Sequence, residues 1–421
     1  MTNSLTGRSI AIVGAGPAGL AAAEVLAGAG ARVMVLERMP TPARKFLLAG
    51  RGGLNLTHSE PLDGFIGRYV AQPGPLATAV RAYPPGSLIA WAEGLGQATF
   101  TGSSGRIFPK AMKASPLLRA WLARLASLGV EIRTRAEVVG LDRGLILQVR
   151  AQSGEEAIRA DAVLLACGGA SWPRLGSDGT WRHWLAPLDV TVNVLEPANA
   201  GLRIQWPDAV LAHHGAPLKR IAVTADGKRH YGECVLTRAG LEGGLIYPLG
   251  ERLRGRLRAG PVDVVVDLRP DRSADELAQS LARVDRKQSL ANRIRKGAGL
   301  LPEAIAIART AGPLPRDDGE LARLLKAVPL RIDGFDGLDR AISTAGGVAL
   351  DGIDDDFMLR AVPGVFAAGE MLDWSAPTGG YLLQACFATG RAAAAGIERY
   401  LKTRPPAATT DGAGARSQTA P

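Results

Sequence analysis

The fold of this chain is decided near its amino terminus by Arg8-Ser-Ile-Ala-Ile-Val-Gly14-Ala-Gly16-Pro-Ala-Gly19, and by Glu37 at the end of the next apolar run. An apolar strand, a three-glycine turn, a helix, a second strand and an acid in this order predict a dinucleotide-binding unit. Gly14 permits the tight turn, Gly16 lets the backbone approach a pyrophosphate, and Gly19 lets helix and strand pack closely. Glu37, 18 residues beyond Gly19, can accept both hydroxyls of an adenosine ribose. A glycine-rich turn without a ligand is the alternative.

Composition limits the class of protein. The 421 residues are enough for two or three domains, and 47% hydrophobic with 21% charged residues is ordinary for a globular protein. No apolar run approaches the ~20 residues of a membrane helix, and the first strand begins too early to leave room for a signal peptide. Cys167, Cys234 and Cys386 are widely spaced and form no CxxC pair. We therefore expect a cytoplasmic protein without membrane contact, disulfide or metal site.

Periodicity indicates the order of elements in the first half of the chain. The predicted helices cover 17–29 and 115–128, and Gly129 ends the second of them. A polar, glycine-rich loop is expected between them at 44–59. The predicted strands are 8–13, 32–37, 130–134, 136–142, 145–149 and 161–166. The last four of them are expected to form a β-meander that leads back to a parallel sheet.

The sequence pattern typical of the parallel-sheet domain ends near residue 190 and returns near residue 346. Short alternating runs predict a β-rich part at 190–270, and helical periodicity follows at 271–330. A parallel-sheet signature reappears at 365–370, before a long helix at about 380–401. The sequence thus predicts an α/β protein with a discontinuous, Rossmann-like FAD-binding domain of parallel sheet and β-meander, and an inserted domain. The predicted boundaries are 1–189 and 346–402 for the FAD-binding domain, 190–345 for the insert, and 403–421 for a disordered tail.

FAD is the predicted cofactor because a second dinucleotide fingerprint is absent while further glycine-rich turns are present. In the first of these, 45–58, Lys45 and Arg51 could neutralise pyrophosphate charge; a surface loop is the alternative. The second, 164–179, carries Gly168 and Gly169 just beyond a strand, where ligands of open α/β sheets bind. Its Asp178 is interpreted equally well as a helix cap.

The third turn, 369–384, is expected at the flavin ring. Glu370 can accept a hydroxyl of the ribityl chain, and Gly379 and Gly380 start the long helix. The positive end of that helix would favour negative charge on the reduced flavin. An ordinary capped helix start is the alternative. The complete set of predicted cofactor-binding residues is Gly14, Ala15, Gly16, Pro17, Ala18, Gly19, Glu37, Arg38, Lys45, Arg51, Gly52, Gly53, Asn55, Val138, Gly168, Gly169, Gly369, Glu370, Thr378, Gly379 and Gly380.

Tyr381 and His58 are the candidate catalytic residues, as proton donors, because each adjoins a predicted flavin-contacting turn. A purely structural role is the competing interpretation for His58.

The chain resembles the BaiN-like, or aminoacetone-oxidase-type, flavoproteins over most of residues 8–400. The resemblance depends on the amino-terminal fingerprint and on five further motifs, 49–57, 105–109, 167–173, 344–347 and 368–381. It implies FAD-dependent redox chemistry, notably reduction of carbon–carbon double bonds in steroid-like enones or in a ribosomal RNA uridine. One motif departs from the family: the usual Gly-Gly-Gly-Arg-Cys-Asn is Gly50-Arg-Gly-Gly-Leu54-Asn55 here. A role that depends on the family's cysteine cannot apply to this chain.

The leading functional hypothesis is an FAD-dependent oxidoreductase in which NAD(P)H reduces the flavin, which then passes hydride to an unsaturated substrate. A second is an RNA-modifying flavoenzyme that forms dihydrouridine in ribosomal RNA. Residues 252–296 carry twelve Arg and Lys against six acids, within a net charge of +10 for the chain, and could contact phosphates, above all through the four arginines of 252–258. A third is a flavin-binding redox sensor without turnover. The oligomeric state is not predicted.

Overall fold

The computed structural model describes residues 4–50, 52–69 and 74–404. Its strands are β1 (Ser9–Val13), β2 (Arg32–Glu37), β3 (Thr57–His58), β4 (Thr99–Thr101), β5 (Arg106–Pro109), β6 (Glu131–Thr134), β7 (Glu137–Leu141), β8 (Ile146–Ala151), β9 (Gly154–Arg159), β10 (Ala162–Leu165), β11 (Val192–Ala198), β12 (Leu202–Arg203), β13 (Pro217–Ala225), β14 (Lys228–Leu236), β15 (Gly240–Glu242), β16 (Val262–Asp267), β17 (Val328–Ile332), β18 (Gly334–Phe335), β19 (Ser343–Val348) and β20 (Val365–Ala367). Its helices are α1 (Pro17–Gly28), α2 (Arg44–Ala49), α3 (Leu62–Ile66), α4 (Pro75–Ala82), α5 (Pro85–Glu93), α6 (Ala114–Ser127), α7 (Trp181–Leu185), α8 (Asp208–Leu211), α9 (Tyr247–Ala259), α10 (Ala274–Ala282), α11 (Leu290–Ala298), α12 (Pro302–Ala308), α13 (Asp318–Lys326) and α14 (Tyr381–Lys402).

A five-stranded parallel sheet in the order β20-β10-β1-β2-β6 forms the centre of the first half of the molecule. Strands β10 and β20 are buried along their whole length, as expected of parallel strands covered on both faces. Helix α14 packs so closely on α1 that a Cβ added at Gly390 would overlap the Ala18 backbone. The predicted parallel Rossmann-like sheet is therefore confirmed.

Three local predictions in this half need correction. The first strand of the expected meander, β6, is instead the edge strand of the parallel sheet, beside β2. The meander consists of β7, β8 and β9, and β9 was not predicted. The expected loop at 44–59 contains α2 and the short strand β3, which joins β5 and β4 in a separate small sheet.

The inserted half is built on a seven-stranded antiparallel sheet in the order β17-β16-β13-β14-β15-β12-β18. Burial alternates along β16 and β17, because one face of this sheet packs on a core and the other meets solvent. Helices α10 to α13 lie between β16 and β17, within the predicted helical part at 271–330, whose last residues belong to β17 instead. The thirteen-residue helix α9 lies inside the part expected to be β-rich, which is a further correction.

Buried apolar residues fall into two clusters. One draws on residues 5–195 and 348–401, and the other on residues 202–332. The antiparallel pair β11 and β19 connects them. The predicted division into domains and its boundaries stay a prediction. Most of the predicted tail, 405–421, lies outside the described residues, and no helix within the described ranges has the length and apolarity needed to cross a membrane.

Candidate functional site: a groove at the carboxyl edge of the parallel sheet

A groove enclosing about 990 Å³ of empty space, part of it open to solvent, lies where β1, β2 and β10 end. This is the edge at which open α/β sheets bind their ligands. Its walls come from the glycine turn before α1, the end of β2, the start of α2, β7, the segment after β10 and the segment after β20.

The three fingerprint glycines differ in what surrounds them. Gly14 has a φ of 103°, and a Cβ there would overlap the carbonyl oxygen of Ala166. A Cβ on Gly19 would overlap the Gly14 carbonyl oxygen. A Cβ on Gly16 would meet nothing within 4 Å, although Gly16 lines the groove. The open cradle at Gly16, at the positive end of α1, fits a phosphate group.

Glu37, the last residue of β2, binds the glycine turn through its side chain. Its Oε2 accepts a hydrogen bond from the Ala15 amide (3.0 Å) and its Oε1 accepts one from the Met39 amide (2.8 Å). Burial raises the pKa of Glu37 above its ordinary value, and these two amides only partly oppose that effect. Each carboxylate oxygen retains a further lone pair for a hydroxyl donor.

The segment after β10 packs against the end of β2. Arg38 donates to Asp178 Oδ2 (2.6 Å), and Asp178 Oδ1 accepts from the Thr180 amide (3.1 Å). Burial disfavours ionisation of Asp178, but the hydrogen bonds from Thr180 and Arg38 outweigh it and lower the pKa of the carboxyl group. Asp178 is thus both a local turn cap and the ion-pair partner of Arg38.

Lys45 lies in the groove, and its Nζ donates to both oxygens of Glu370 (2.9 and 2.7 Å) and to Ser171 Oγ. Glu370 Oε1 also accepts from the Thr344 amide (3.0 Å). The ammonium charge that the sequence assigned to a pyrophosphate is therefore already paired. Arg44, next to it, lines the same groove and its buried Nε has no hydrogen-bond partner among the described residues.

Two thiols also line the groove. Burial raises the pKa of both Cys167 and Cys386 to about 12, so that each is a neutral thiol at physiological pH. All three cysteines are free, and the described residues contain no group of His, Cys, Asp and Glu side chains placed to hold a metal ion.

The later parts of the first and third predicted turns, near residues 55–57 and 379–381, meet beside this groove rather than in its wall. A Cβ on Gly380 would lie 2.5 Å from Thr57 Cα, and Asn55, with its amide oriented to satisfy both atoms, accepts from the Gly380 amide (3.3 Å). Leu54, where the family has cysteine, is completely buried in the core. Arg51 lies outside the described residues.

His58 and Tyr381 come together as a stacked pair, with ring centroids 5.5 Å apart. The Glu60 amide donates to His58 Nδ1 (3.1 Å), so Nε2 carries the proton and donates to the Ser104 carbonyl oxygen (3.0 Å). The Tyr381 hydroxyl donates to Glu60, which Arg68 also binds. Burial and the neighbouring Glu60 raise the pKa of Tyr381 well above its ordinary value. Both side chains are thus engaged within the protein, and neither is in the described wall of the groove.

The structure therefore gathers part of the predicted set. The predicted residues that line the groove are Gly14, Gly16, Pro17, Ala18, Glu37, Arg38, Lys45, Val138, Gly168, Gly369 and Glu370. Ala15 and Gly19 belong to the same turn but do not line the groove: the Ala15 amide donates to Glu37, and Gly19 packs against the Gly14 carbonyl oxygen. The described residues of the set that lie outside the wall are Gly52, Gly53, Asn55, Gly169, Thr378, Gly379 and Gly380.

Sequence reasoning missed several lining side chains, among them Arg44, Ser177, Trp181 and Trp184. Arg44 adjoins the predicted Lys45, and Ser177 stands inside a predicted glycine-rich turn. Their positions could have been proposed from those neighbours. Nothing in the spacing indicated which of these side chains would face the groove.

Comparison with known proteins agrees with this geometry. The sequence profile of the family described as HI0933-like protein Rossmann domain matches residues 8–396. The chain is 27% identical over 405 residues to the 3-dehydro-bile acid delta(4,6)-reductase of Clostridium scindens, covering 90% of this chain and 97% of that protein. It is 26% identical over 394 residues to the ribosomal RNA dihydrouridine synthase of Escherichia coli, covering 89% and 94%.

Solved structures show the same fold. A 3-ketosteroid delta1-dehydrogenase from Sterolibacterium denitrificans superposes with a TM-score of 0.52 at 13% identity, covering 93% of this chain and all of that one. A variant of the Escherichia coli quinol fumarate reductase FrdA superposes with a TM-score of 0.51 at 17% identity, covering 95% and 71%.

Proposed function

This chain belongs to the HI0933-like Rossmann FAD-binding family, and from that premise we propose that it is an FAD-dependent reductase of carbon–carbon double bonds that takes its electrons from NAD(P)H. The observation that carries the proposal is the groove at the carboxyl edge of the parallel sheet, with an open cradle at Gly16 before α1. FAD, when bound, supplies the redox chemistry that these side chains lack.

The residues of the groove divide the work of holding such a cofactor. The turn around Gly16 and the start of α1 present backbone N–H groups to a pyrophosphate, and Arg44 adds positive charge. Glu37 accepts ribose hydroxyls. Glu370, held by Lys45, offers acceptor oxygens farther along the groove.

The substrate class is proposed from the relatives. The Clostridium scindens protein is named as a bile acid reductase, and we propose an unsaturated, steroid-like or similarly conjugated substrate here. Tyr381 and His58 stay our candidates for the proton donor. Tyr381→Phe and His58→Ala variants whose pH–rate profiles match that of the wild type would remove both candidates.

The proposal is tested anaerobically with the purified holoprotein. NADH or NADPH should bleach the flavin absorbance, and an accepted unsaturated substrate should restore it while its double bond is lost. A flavin that neither nicotinamide reduces contradicts the proposed donor. Reoxidation by oxygen alone, with no substrate found among conjugated enones or RNA, would favour the redox-sensor hypothesis.

A second candidate, dihydrouridine formation in ribosomal RNA, is favoured by the Escherichia coli relative. Three of the four arginines predicted as docking residues at 252–258 are ion-paired: Arg254 with Glu251, Arg256 with Asp226 and Arg258 with Glu196. Arg254 is also buried, so it is the least suited of the four to contact a phosphate. Other cations of the basic stretch are exposed and form no ion pair within the described residues. They are Arg283, Lys287, Arg295 and Lys296.

Binding of a ribosomal RNA fragment, followed by fluorescence anisotropy, separates the two candidates. If RNA is the substrate, its affinity should fall steeply with salt, and a double Arg295→Glu, Lys296→Glu variant should weaken it. RNA affinity that this double variant leaves unchanged would exclude the exposed stretch as the docking surface.

A further inference from the structure

Ser177 is a buried side chain whose polar atom has no partner. The residue is 7% exposed, its Oγ is inaccessible to solvent, and no hydrogen bond to it exists among the described residues. Buried hydroxyl groups are almost always paired, because leaving one unpaired costs the desolvation of the group without a compensating bond. Ser177 also lines the groove. The unsatisfied hydroxyl therefore points to a ligand atom.

The neighbouring hydroxyl groups of the same segment are paired, and in the groove only Arg44 Nε shares the lack of a partner among the described residues. Ser171, also buried, accepts from Lys45 Nζ, and the Thr180 hydroxyl donates to Asp178 Oδ1 (2.8 Å). The hydroxyl groups that precede and follow Ser177 in this segment are therefore hydrogen-bonded, whereas the buried Ser177 hydroxyl has no partner among the described residues.

Packing places Ser177 at the Glu37 end of the groove. A Cβ added at Gly176 would lie 2.7 Å from Met39 Cγ and 3.9 Å from Glu37 Oε1. On the other side, Asp178 binds Arg38. The Lys45–Glu370 pair belongs to the segments after β2 and β20 instead.

The wall around Ser177 is largely apolar. Trp181 is buried, and its ring is fixed by a hydrogen bond from Nε1 to the Gly168 carbonyl oxygen (2.9 Å). Trp184, Leu175 and Val138 also line the groove. A flat aromatic ring whose faces pack on apolar side chains and whose edge carries hydrogen-bonding nitrogens, such as a purine, suits these surroundings.

We propose that the Ser177 hydroxyl binds the adenosine half of the cofactor, and that this bond contributes to selection of an adenine dinucleotide. The inference rests on the proposed FAD-dependent function and adds a binding residue to it. Ser177 touches the ligand half that takes no part in electron transfer, so its contribution is to affinity rather than to the chemical step.

Calorimetric titration of the full-length protein, freed of flavin, with ADP and separately with FAD tests this proposal. Ser177→Ala should weaken the binding of both ligands about tenfold, which corresponds to about 1.4 kcal/mol of binding free energy. Ser177→Cys has a similar size but a weaker hydrogen-bonding group, so its affinity should lie between those of the wild type and the Ser177→Ala variant. Thermal unfolding of the ligand-free Ser177→Ala protein should show no loss of stability, because no bond within the protein is removed.

Ser9→Ala is the matched control. The Ser9 hydroxyl donates to Asp161 (2.9 Å) at the opposite end of β1, so its loss should lower stability and leave ADP affinity unchanged. Wild-type affinity of Ser177→Ala for ADP would overturn the inference while leaving FAD binding intact. A weaker affinity for FAD with an unchanged affinity for ADP would also overturn it, since the hydroxyl would then contact the flavin half of the cofactor. A wild-type protein that binds neither ligand would overturn the proposed function itself.

Discussion

Gly14 and Gly16 stand two positions apart and face different surroundings. Gly14 needs its positive φ and its closeness to Ala166, so it serves the fold. Gly16 has free space where its Cβ would be and lines the groove, so we expect it to serve the ligand. On this interpretation the same motif contains a structural and a functional glycine, and substitution can tell them apart.

We expect Gly14→Ala to lower the free energy of unfolding by about 2–4 kcal/mol, because the added methyl group overlaps backbone and strains φ. Gly16→Ala should keep wild-type stability and bind FAD at least about tenfold more weakly. Urea unfolding of the ligand-free proteins and fluorescence titration with FAD provide the two readouts. Equal loss of stability in both variants would contradict this division.

The raised pKa of Glu37 predicts a pH dependence of binding. The carboxylate must be ionised to accept two ribose hydroxyls, so FAD affinity should fall on acidification at a pH above the ordinary glutamate value of 4.5. Since the folded state holds this proton more tightly than the unfolded chain, Glu37 alone makes the ligand-free protein less stable as the pH rises through the same range.

Glu37→Gln checks the assignment. The variant should bind FAD about tenfold more weakly at neutral pH, because an amide offers one acceptor atom instead of two. It should also lack the acid transition that the wild type shows. An identical transition in both proteins would assign the titration to another group.

Among elements, those with strong periodicity were predicted and those without it were not. Helix α6 has a continuous apolar face, and its observed ends lie within one residue of the predicted bounds, 115–128. Helix α2 is only six residues long, too short to establish a period. Strand β9, Gly-Glu-Glu-Ala-Ile-Arg, is mostly exposed and poor in strand-forming residues, and its pairing with β8 depends on the tertiary fold. Helix α9 carries two glycines and four arginines, which obscured its apolar positions.

The arginines of α9 show how a charged element serves packing. Arg254 is buried, donates to the Pro197 carbonyl oxygen (2.9 Å) and is ion-paired with Glu251 and Glu196. It fastens α9 to β11, the strand that joins the two clusters of buried residues. Net charge along the sequence therefore overstated the charge available to a partner.

We expect Arg254→Ala to lower the free energy of unfolding by about 2 kcal/mol, because a buried side chain loses its bonds to the Pro197 carbonyl oxygen and to Glu251. Arg252→Ala, at an exposed neighbouring position, should change it by less than about 0.5 kcal/mol. Urea unfolding measures both values. If the two substitutions cost the same, Arg254 does not hold the helix in this way.

At the scale of the whole molecule, the sequence located one end of the site better than the other. Contiguous residues build the turn around Gly16, so the motif alone predicted it together with Glu37. The other end needs Lys45, Thr344 and Glu370, which are distant in sequence and meet only through the fold. Pairing of Lys45 with Glu370 could not be read from spacing, because it depends on how the segments after β2 and β20 face each other.

A ligand that binds only the folded chain stabilises it by an amount that grows with the logarithm of the ligand concentration relative to the dissociation constant. At an FAD concentration 100 times the dissociation constant, we expect about 2.7 kcal/mol of added stability and a higher melting temperature. Differential scanning calorimetry with and without FAD measures the shift. FMN, which lacks the adenosine half, should give a smaller shift at the same concentration. Equal shifts would contradict the role assigned to the Glu37 end of the groove.

Whether the groove at the carboxyl edge of the parallel sheet holds FAD is measured by titrating the wild-type protein and its Gly16→Ala variant, both freed of flavin, with FAD while following flavin fluorescence. We expect saturation at one FAD per chain for the wild type and clearly weaker binding by an equally stable variant. A folded wild-type protein that stays colourless and binds no added FAD would show that the groove does not hold the cofactor. A variant that binds FAD as well as the wild type would show that Gly16 does not face it.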